Sequence, residues 1–470
     1  MSTYSMAVDI GASSGRCILG WRENGKIHLE EVHRFLNGPT EINRTMVWNV
    51  DRLFAEIVEG VRKAGEMGKR PDSLGVDTWG VDYLLLDKDG KEIGDAVCYR
   101  DHRTDGMDRE VEKHIPATEL YARAGTQFIL FNTIYQLQAL KLQHPEQLDA
   151  AQTLLFMPEY LSYRLTGKMM NEYTIASTSG LLNAASCDWD RDVIERLGLP
   201  QRIFGTVHQP GTTLGTLRPE VRDQVGYDLA VMLPACHDTA SAVLAMPATG
   251  DAGDDAIYIS SGTWSLMGIE RLEPDTRDIC RQRGFTNEGG YDRRYRFLRN
   301  IMGLWMIQSL RRELFPDHGF GELSDMARTA LSYPARIDVT DHEFMAPESM
   351  RQAIVRHCVR NGGPEPASDL EVLACTYNSL ADSYAATAKE IENLAGRAYS
   401  RISLFGGGCR DRLLNELTAK ATGKEVYAGP VEATAIGNIL SQMLARGEFA
   451  DLAAARRAVA ESFEVEKVRL

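Results

Sequence analysis

The residues best suited to chemistry lie in ACHDTASAV, 235–243. An apolar run at 229–234 reads as a strand, and His237, Asp238 and Thr239 follow it where a helix over 238–245 begins. A carboxylate in that place can take the proton of an alcohol as the alcohol attacks a phosphorus. The loose transition state of phosphoryl transfer asks mainly for positioning, so an ordinary Asp serves. Asp238 is equally suited to cap the helix with its own side chain, since Asp is a favoured cap. The segment alone leaves both roles open.

Two further segments suit an anion. In DIGASSGR, 9–16, a strand runs into a turn of Ala12, Ser13, Ser14 and Gly15. Backbone N–H groups there can approach a phosphate without interference from Cβ atoms, Arg16 adds charge, and Asp9 at the strand end can hold a hydrated Mg²⁺. A plain hairpin turn has the same composition. A second strand and small polar turn, SSGT at 260–263, repeats the feature and ends on Thr263. Two such turns facing each other across a cleft would clamp a polyphosphate. The third element, FGGGCRDRLLNEL, puts Gly406, Gly407 and Gly408 between a strand and a helix, where a flat ligand can lie on bare backbone. The chain has no G-x-x-x-x-G-K-[ST] and no G-x-G-x-x-G. A bound nucleotide therefore needs another architecture. Trp79 and Gly80 in TWGVD can offer an apolar wall and exposed backbone to a sugar, or simply form a packed Trp in a tight turn. RDHRT, 100–104, offers polar groups that suit hydroxyls or an exposed salt-linked loop, and TNEGG, 286–290, carries no definite role by itself. RNIMGLWMIQ places Asn300 and Gln308 near a helix start at 303, as a cap and a surface residue.

These segments need elements to position them. Strands are expected at 4–10, 17–21 and 26–35, an antiparallel start to a sheet, with a helix at 51–64 and strands at 73–77 and 83–87. Helices follow at 135–143 and 158–165. The Gly-, Pro- and Asp-rich stretch 246–255 has linker composition. Beyond it AIYISSGTWSLMG repeats the pattern of AVDIGASSGRCILG, so each half opens on strand, turn, strand. Helices at 303–314, 350–359 and 369–394 lead to a strand at 401–405 before the three glycines.

A chain of 470 residues is long enough for two cores. With 52 Lys and Arg against 66 Asp and Glu, its net charge of −14 argues against nucleic-acid binding. No run approaches the ~18 apolar residues of a membrane span. The opening MSTYSMAVDIGASSGR lacks the layout of a signal peptide, so a cytoplasmic location is expected. The 10 His have no zinc spacing, and no G-x-S-x-G is present. Of the eight Cys, Cys17, Cys98, Cys187, Cys236, Cys280 and Cys409 read as small buried hydrophobes, while Cys358 and Cys375 flank NGGPEPAS and can come close.

In order along nearly the whole chain, DIGASSGR, DTWGVD, YRDHRT, CHDTASAV, SSGTWSLMG, TNEGG, NIMGLW, GGGC and PVEATAIGN resemble the FGGY family of carbohydrate kinases. The resemblance implies an α/β, two-domain, actin-like or ribonuclease-H-like fold with an interdomain cleft. Residues 1–245 would form the sugar-binding and phosphate-loop domain and 246–470 the nucleotide-binding domain. It assigns Ala12, Ser13, Ser14, Gly15, Arg16, Thr263, Gln308 and Gly407 to ATP. Gly80, His237, Asp238, Thr239 and Asn300 would meet a ketose, with Asp238 as general base and Asp9 holding Mg²⁺ through water. The reaction implied moves the γ-phosphoryl group of ATP to O1 of L-rhamnulose. The alternatives are a kinase for L-fuculose or D-xylulose, or an actin-like nucleotide-binding protein without sugar turnover. The partners are then a small sugar and ATP, with no nucleic acid and no membrane; the oligomeric state is left open. Two positions depart from the family pattern: Ala419-Lys420 stands where an Ala-Asp pair is usual, and Thr418 and Thr422 stand where some relatives carry two cysteines. Cys358 and Cys375 match cysteines of relatives.

Overall fold

The first apolar run lies at the centre of a sheet in the computed structural model, which describes residues 3–248, 256–345 and 347–469. β1 (Ser5–Ile10) is buried at every residue, as a strand covered on both faces must be. It forms an antiparallel meander with β2 (Ser14–Glu23) and β3 (Lys26–Leu36). On its other side β4 (Ser73–Thr78) runs parallel to it. β5 (Thr212–Thr216) and β6 (Ala230–Leu233) complete the order β5-β6-β4-β1-β2-β3, with β6 parallel to β4 and β5 antiparallel to β6. The three parallel strands β1, β4 and β6 therefore end at one edge of the sheet, the edge where open α/β sheets place their ligands.

The second sheet has seven strands: β7 (Ile257–Ser261), β8 (Ser265–Arg271), β9 (Tyr295–Ile301), β10 (Arg401–Phe405), β11 (Glu425–Ala428) and β12 (Glu466–Lys467) in the order β9-β8-β7-β10-β11-β12, with the short strand Thr286–Gly289 at the edge beside β9. β7 is antiparallel to β8 and parallel to β10, β10 is parallel to β11, and β11 is antiparallel to β12. The run β8-β7-β10-β11-β12 repeats the order and directions of β2-β1-β4-β6-β5 in the first sheet, so the weak repeat in the sequence is a repeat of architecture.

The chain packs as two units. One takes the chain up to Ala245 together with Glu270–Phe297 and Thr434–Ser462; the other takes the described parts of Met246–Ile269, Leu298–Ala433 and Phe463–Leu470. Two segments of the C-terminal half thus pack with the first unit. Of the expected linker at 246–255, residues 249–255 lie outside the described residues.

In the first unit, helix α1 (Val50–Glu66) starts where the Asn49 side chain accepts from the Arg52 backbone N–H. It buries Leu53, Ile57, Val61 and Ala64 against Val8, Ile10, Leu74 and Val76 of the sheet, the stripe its spacing dictates. α2 (Asp238–Leu244) begins directly beyond β6. The helix Ala433–Ala445 lies against both α2 and β4 at positions that only glycine allows. A Cβ on Gly437 would fall 1.7 Å from the Ser241 carbonyl oxygen, and one on Gly75 would fall 2.6 Å from Asn438 Oδ1.

Three expectations need correction. The residue that caps α2 is His237, not Asp238, and it makes no capping hydrogen bond with its side chain. Asn300 is not at a helix start: it lies in β9, and the helix begins only at Trp305, after Gly303 turns the chain at φ +53°. Cys187 is half-buried rather than buried, because its backbone sits at φ +56° in a turn and its thiol meets Tyr295 Oη at 3.0 Å. Cys358 and Cys375 do come close, with Sγ atoms 3.8 Å apart and both thiols free.

Candidate active site

The parallel register places Asp9 of β1 opposite Asp77 of β4, and Thr78 opposite His237 beyond β6. Three carboxylates, Asp9, Asp77 and Asp238, thus gather at the ligand-binding edge of the first sheet. Asp77 is fully buried, and burial followed by repulsion from Asp9 pushes its carboxyl well above the usual range, against a hydrogen bond from Asn438. Asn438 Nδ2 donates to Asp77 Oδ2 at 2.6 Å, whereas Asp77 Oδ1 is buried without a hydrogen-bond partner. The Asp9 carboxylate receives Arg16 Nε at 2.9 Å and Nη2 at 2.7 Å from the facing strand, so Arg16 grips Asp9 here. Asn37, at the end of β3, pins the Ala12–Gly15 turn: its N–H donates to Ser13 O and its side chain to Gly11 O.

Asp238 opens α2 with its side chain 31% exposed. Its Oδ1 accepts from its neighbour Thr239, from the N–H at 2.5 Å and the hydroxyl at 3.1 Å, and His237 Nε2 lies 3.4 Å away. Burial of its inner face pushes the carboxyl up and the charge of Asp9 adds to this, opposed by His237 and Thr239. An upward-shifted carboxylate with one face open is a competent proton acceptor for a hydroxyl group.

Gly80 lies on the loop after β4, where a Cβ would come within 3.1 Å of Thr178. The next residue, Val81, has φ +69°, a costly conformation for a β-branched residue. It is held by Thr178 Oγ1 accepting from its N–H at 3.1 Å and Thr133 Oγ1 donating to its carbonyl at 2.7 Å. Trp79 is no sugar wall. It is 6% exposed, its ring centroid lies 4.1 Å from that of Trp48, and both indole N–H groups donate to Asp82 Oδ2. RDHRT joins the same network, since Arg103 Nη2 donates to Gln136 Oε1 and Gln136 Nε2 to Asp82 Oδ1.

Thr263, Gln308, Gly407 and Asn300 belong to the second unit. Thr263 is in the β7–β8 turn, and its carbonyl accepts from the Trp305 N–H, which ties the helix Trp305–Leu314 and Gln308 to that turn. The three glycines are not equivalent. A Cβ on Gly406, at φ +85°, would lie 2.8 Å from Ser261 O, and one on Gly408 2.0 Å from Ser261 Oγ, whereas one on Gly407 meets nothing within 4 Å. Gly406 and Gly408 are required by packing on β7; Gly407 faces open space.

Asp77, Asn438, Asn37, Glu288 and Arg296 were not singled out from the sequence. Asp77 and Asn438 do lie inside DTWGVD and PVEATAIGN, and Glu288 lies inside TNEGG. Among the described residues, no group of three or more His, Cys, Asp or Glu is disposed to cage a metal, and no helix is long and apolar enough to cross a membrane.

The N-terminal domain model of the FGGY family of carbohydrate kinases matches residues 4–245, and its C-terminal domain model matches residues 257–446. The chain belongs to the FGGY family. As a member it is a carbohydrate kinase, acting on a sugar with ATP as co-substrate. It is 46% identical to a rhamnulokinase of Halalkalibacterium halodurans over 464 residues, 99% of this chain and 98% of that protein. It is 39% identical to a rhamnulokinase of Bacillus subtilis over 462 residues, 98% of this chain and 94% of that protein. Among solved structures it resembles gluconate kinase from Lactobacillus acidophilus, with a TM-score of 0.80 at 16% identity, covering 99% of this chain and 93% of that one. It also resembles Plasmodium falciparum glycerol kinase with ADP, with a TM-score of 0.74 at 13% identity, covering 99% and 94%. The structures bear on the fold alone, and it is the two-domain α/β fold of the family.

Proposed function

We propose that this FGGY kinase transfers the γ-phosphoryl group of ATP to O1 of L-rhamnulose, giving L-rhamnulose 1-phosphate and ADP. The observation that carries the chemistry is Asp238, the first residue of α2, whose carboxylate is open on one side. It accepts the O1 proton late, as the O–P bond forms. Gly80, His237, Thr239 and Asn300 hold the ketose; Ala12, Ser13, Ser14, Gly15, Arg16, Thr263, Gln308 and Gly407 hold ATP. The choice of L-rhamnulose follows the full-length similarity to proteins named rhamnulokinase. A nucleotide-binding protein without sugar turnover is not favoured. We assign residues 1–245 to sugar and phosphate-loop binding and 246–470 to nucleotide binding, and place the enzyme in the cytoplasm.

The residues at the sheet edge fit Mg²⁺. Asp77 Oδ1 is buried without a hydrogen-bond partner beside Asp9, and Mg²⁺ characteristically takes one or two carboxylates, several waters and substrate phosphates. Asp9 would hold it through water, with Asp77 beside it. Bound there, Mg²⁺ supplies positive charge against the phosphate oxygens.

The test is ADP release with ATP and Mg²⁺ against L-rhamnulose, L-fuculose, D-xylulose, L-ribulose and glycerol. L-Rhamnulose should be preferred, and Asp238→Asn should lower kcat by about 10²–10⁴-fold. Preference for another ketose overturns the substrate, and near-normal turnover by Asp238→Asn overturns the base.

A further inference from the structure

TNEGG and the strand after it converge on His237 from behind. Arg296 of β9 has no exposed surface and its guanidinium is held on three sides. Nε donates to Gly289 O at 2.9 Å, Nη1 lies 2.9 Å from Glu288 Oε2, and Nη2 lies 3.0 Å from His237 Nδ1. His237 is itself 7% exposed, and its backbone N–H donates to Thr174 Oγ1 at 3.2 Å. A guanidinium has donors and no acceptor. At hydrogen-bond distance from it, Nδ1 must offer its lone pair, and the ring proton must sit on Nε2. Glu288 Oε2 stands 3.4 Å from Nδ1 and would accept from it in the opposite tautomer. That tautomer sets an N–H against an Arg N–H inside a buried site, so the arginine decides.

We propose that Arg296 is a positioning residue that fixes His237 in the Nε2–H tautomer, so that the imidazole presents a donor, not an acceptor, beside Asp238. Nε2 is 3.4 Å from Asp238 Oδ1, longer than an ordinary N–H···O hydrogen bond, which leaves this donor for a ligand oxygen. It suits a sugar oxygen that can only accept, such as the carbonyl of a ketose. The backbone supports the same geometry: Ser177 Oγ accepts from Gly289 N–H at 2.7 Å, which fixes the carbonyl that orients Arg296 Nε. The kinetic consequence rests on reading His237 as a sugar contact, whereas the tautomer does not.

Long-range ¹H–¹⁵N correlation spectra of the full chain labelled in its histidines, assigned with His237→Gln, read the tautomer directly without altering Arg296. The expected result is an unprotonated Nδ1 and a protonated Nε2; a proton on Nδ1 overturns the proposal. The kinetic arm compares two variants. Arg296→Gln keeps an N–H donor toward Nδ1 and should leave the sugar KM near that of the parent. Arg296→Met has none and should raise the sugar KM about tenfold, the loss of one hydrogen bond, with the KM for ATP unchanged. Equal sugar KM for the two variants, or equal rises in both substrates, would overturn the positioning role, and if Arg296→Met does not fold the spectra of the parent protein decide. An Nε2–H tautomer in a protein that phosphorylates no sugar would sink the proposed function and leave this inference standing.

Discussion

Replacing Gly437 by Ala adds one methyl group where the helix Ala433–Ala445 meets the backbone of α2. The new Cβ would lie 1.7 Å from the Ser241 carbonyl oxygen, 2.4 Å from its carbon and 3.0 Å from its Cα. A tolerable contact is about 3.2 Å, so the two helices must part by about 1.5 Å, and no rotamer change relieves a clash of backbone with Cβ. The cost should reach or exceed the upper end of the about 1–3 kcal/mol typical of overpacking. For a unit of this size that is a fall in Tm of roughly 5–10 °C. Activity should fall further than stability, because Ser241 is one turn along the helix that Asp238 opens. A displacement of about 1 Å at a reacting group costs about 10²-fold in rate. The assay is calorimetric Tm and kcat, beside Gly321→Ala as control, since a Cβ on Gly321 meets nothing within 4 Å. If Gly437→Ala matched Gly321→Ala in both, the helix contact described here would be wrong.

Three further outcomes are expected. Asn438→Ala removes the donor to Asp77 Oδ2 and Gly75 O and should destabilise by about 1–3 kcal/mol in urea titration; an unchanged midpoint would contradict the buried network. Gly407→Ala should melt like the parent and raise the KM for ATP, whereas Gly408→Ala should lower Tm, because only the latter meets Ser261; the reverse pattern would refute the assignment. Burial pushes the Asp82 carboxyl up to about 6, opposed by hydrogen bonds from Trp48, Trp79 and Gln136. The folded chain then keeps a proton that the unfolded chain has lost, so this group's contribution falls by about 3 kcal/mol as pH rises from about 4 to about 6 and is flat above. Stability curves of the parent and Asp82→Asn should converge or cross over that window, and parallel curves would exclude it.

The segments that carry chemistry were legible because each joins a strand end to a glycine or small polar turn, a local pattern. What they touch was not. Asp9 meets Asp77 only through the register of two parallel strands, and Asn438 reaches Asp77 across 361 residues. Trp79 suits a sugar wall by sequence, but the tilted ring of Trp48 packs against it. Asp238 looked equally like a cap, and the choice turned on one residue of phase, with His237 taking the cap position. The three glycines are identical in sequence and differ only in what lies across from them. TNEGG gave no role because the groups that define it arrive from elsewhere, His237 from the start of α2 and Arg296 from β9.

The segment Thr434–Ser462 also sets a timetable for synthesis. Gln442 donates to Met6 O across 436 residues and accepts from Ser73 Oγ, so the sheet that is translated first is completed by helices translated last. The chain passes between the units at 245/246, 269/270, 297/298, 433/434 and 462/463, and neither unit is a contiguous stretch. A nascent chain that stops short of residue 434 leaves β1, β2 and β4 without their covering helix, an exposed apolar sheet of the kind that aggregates. Folding of the catalytic edge is therefore a late event in biosynthesis, and expression of the N-terminal half by itself is expected to give insoluble protein.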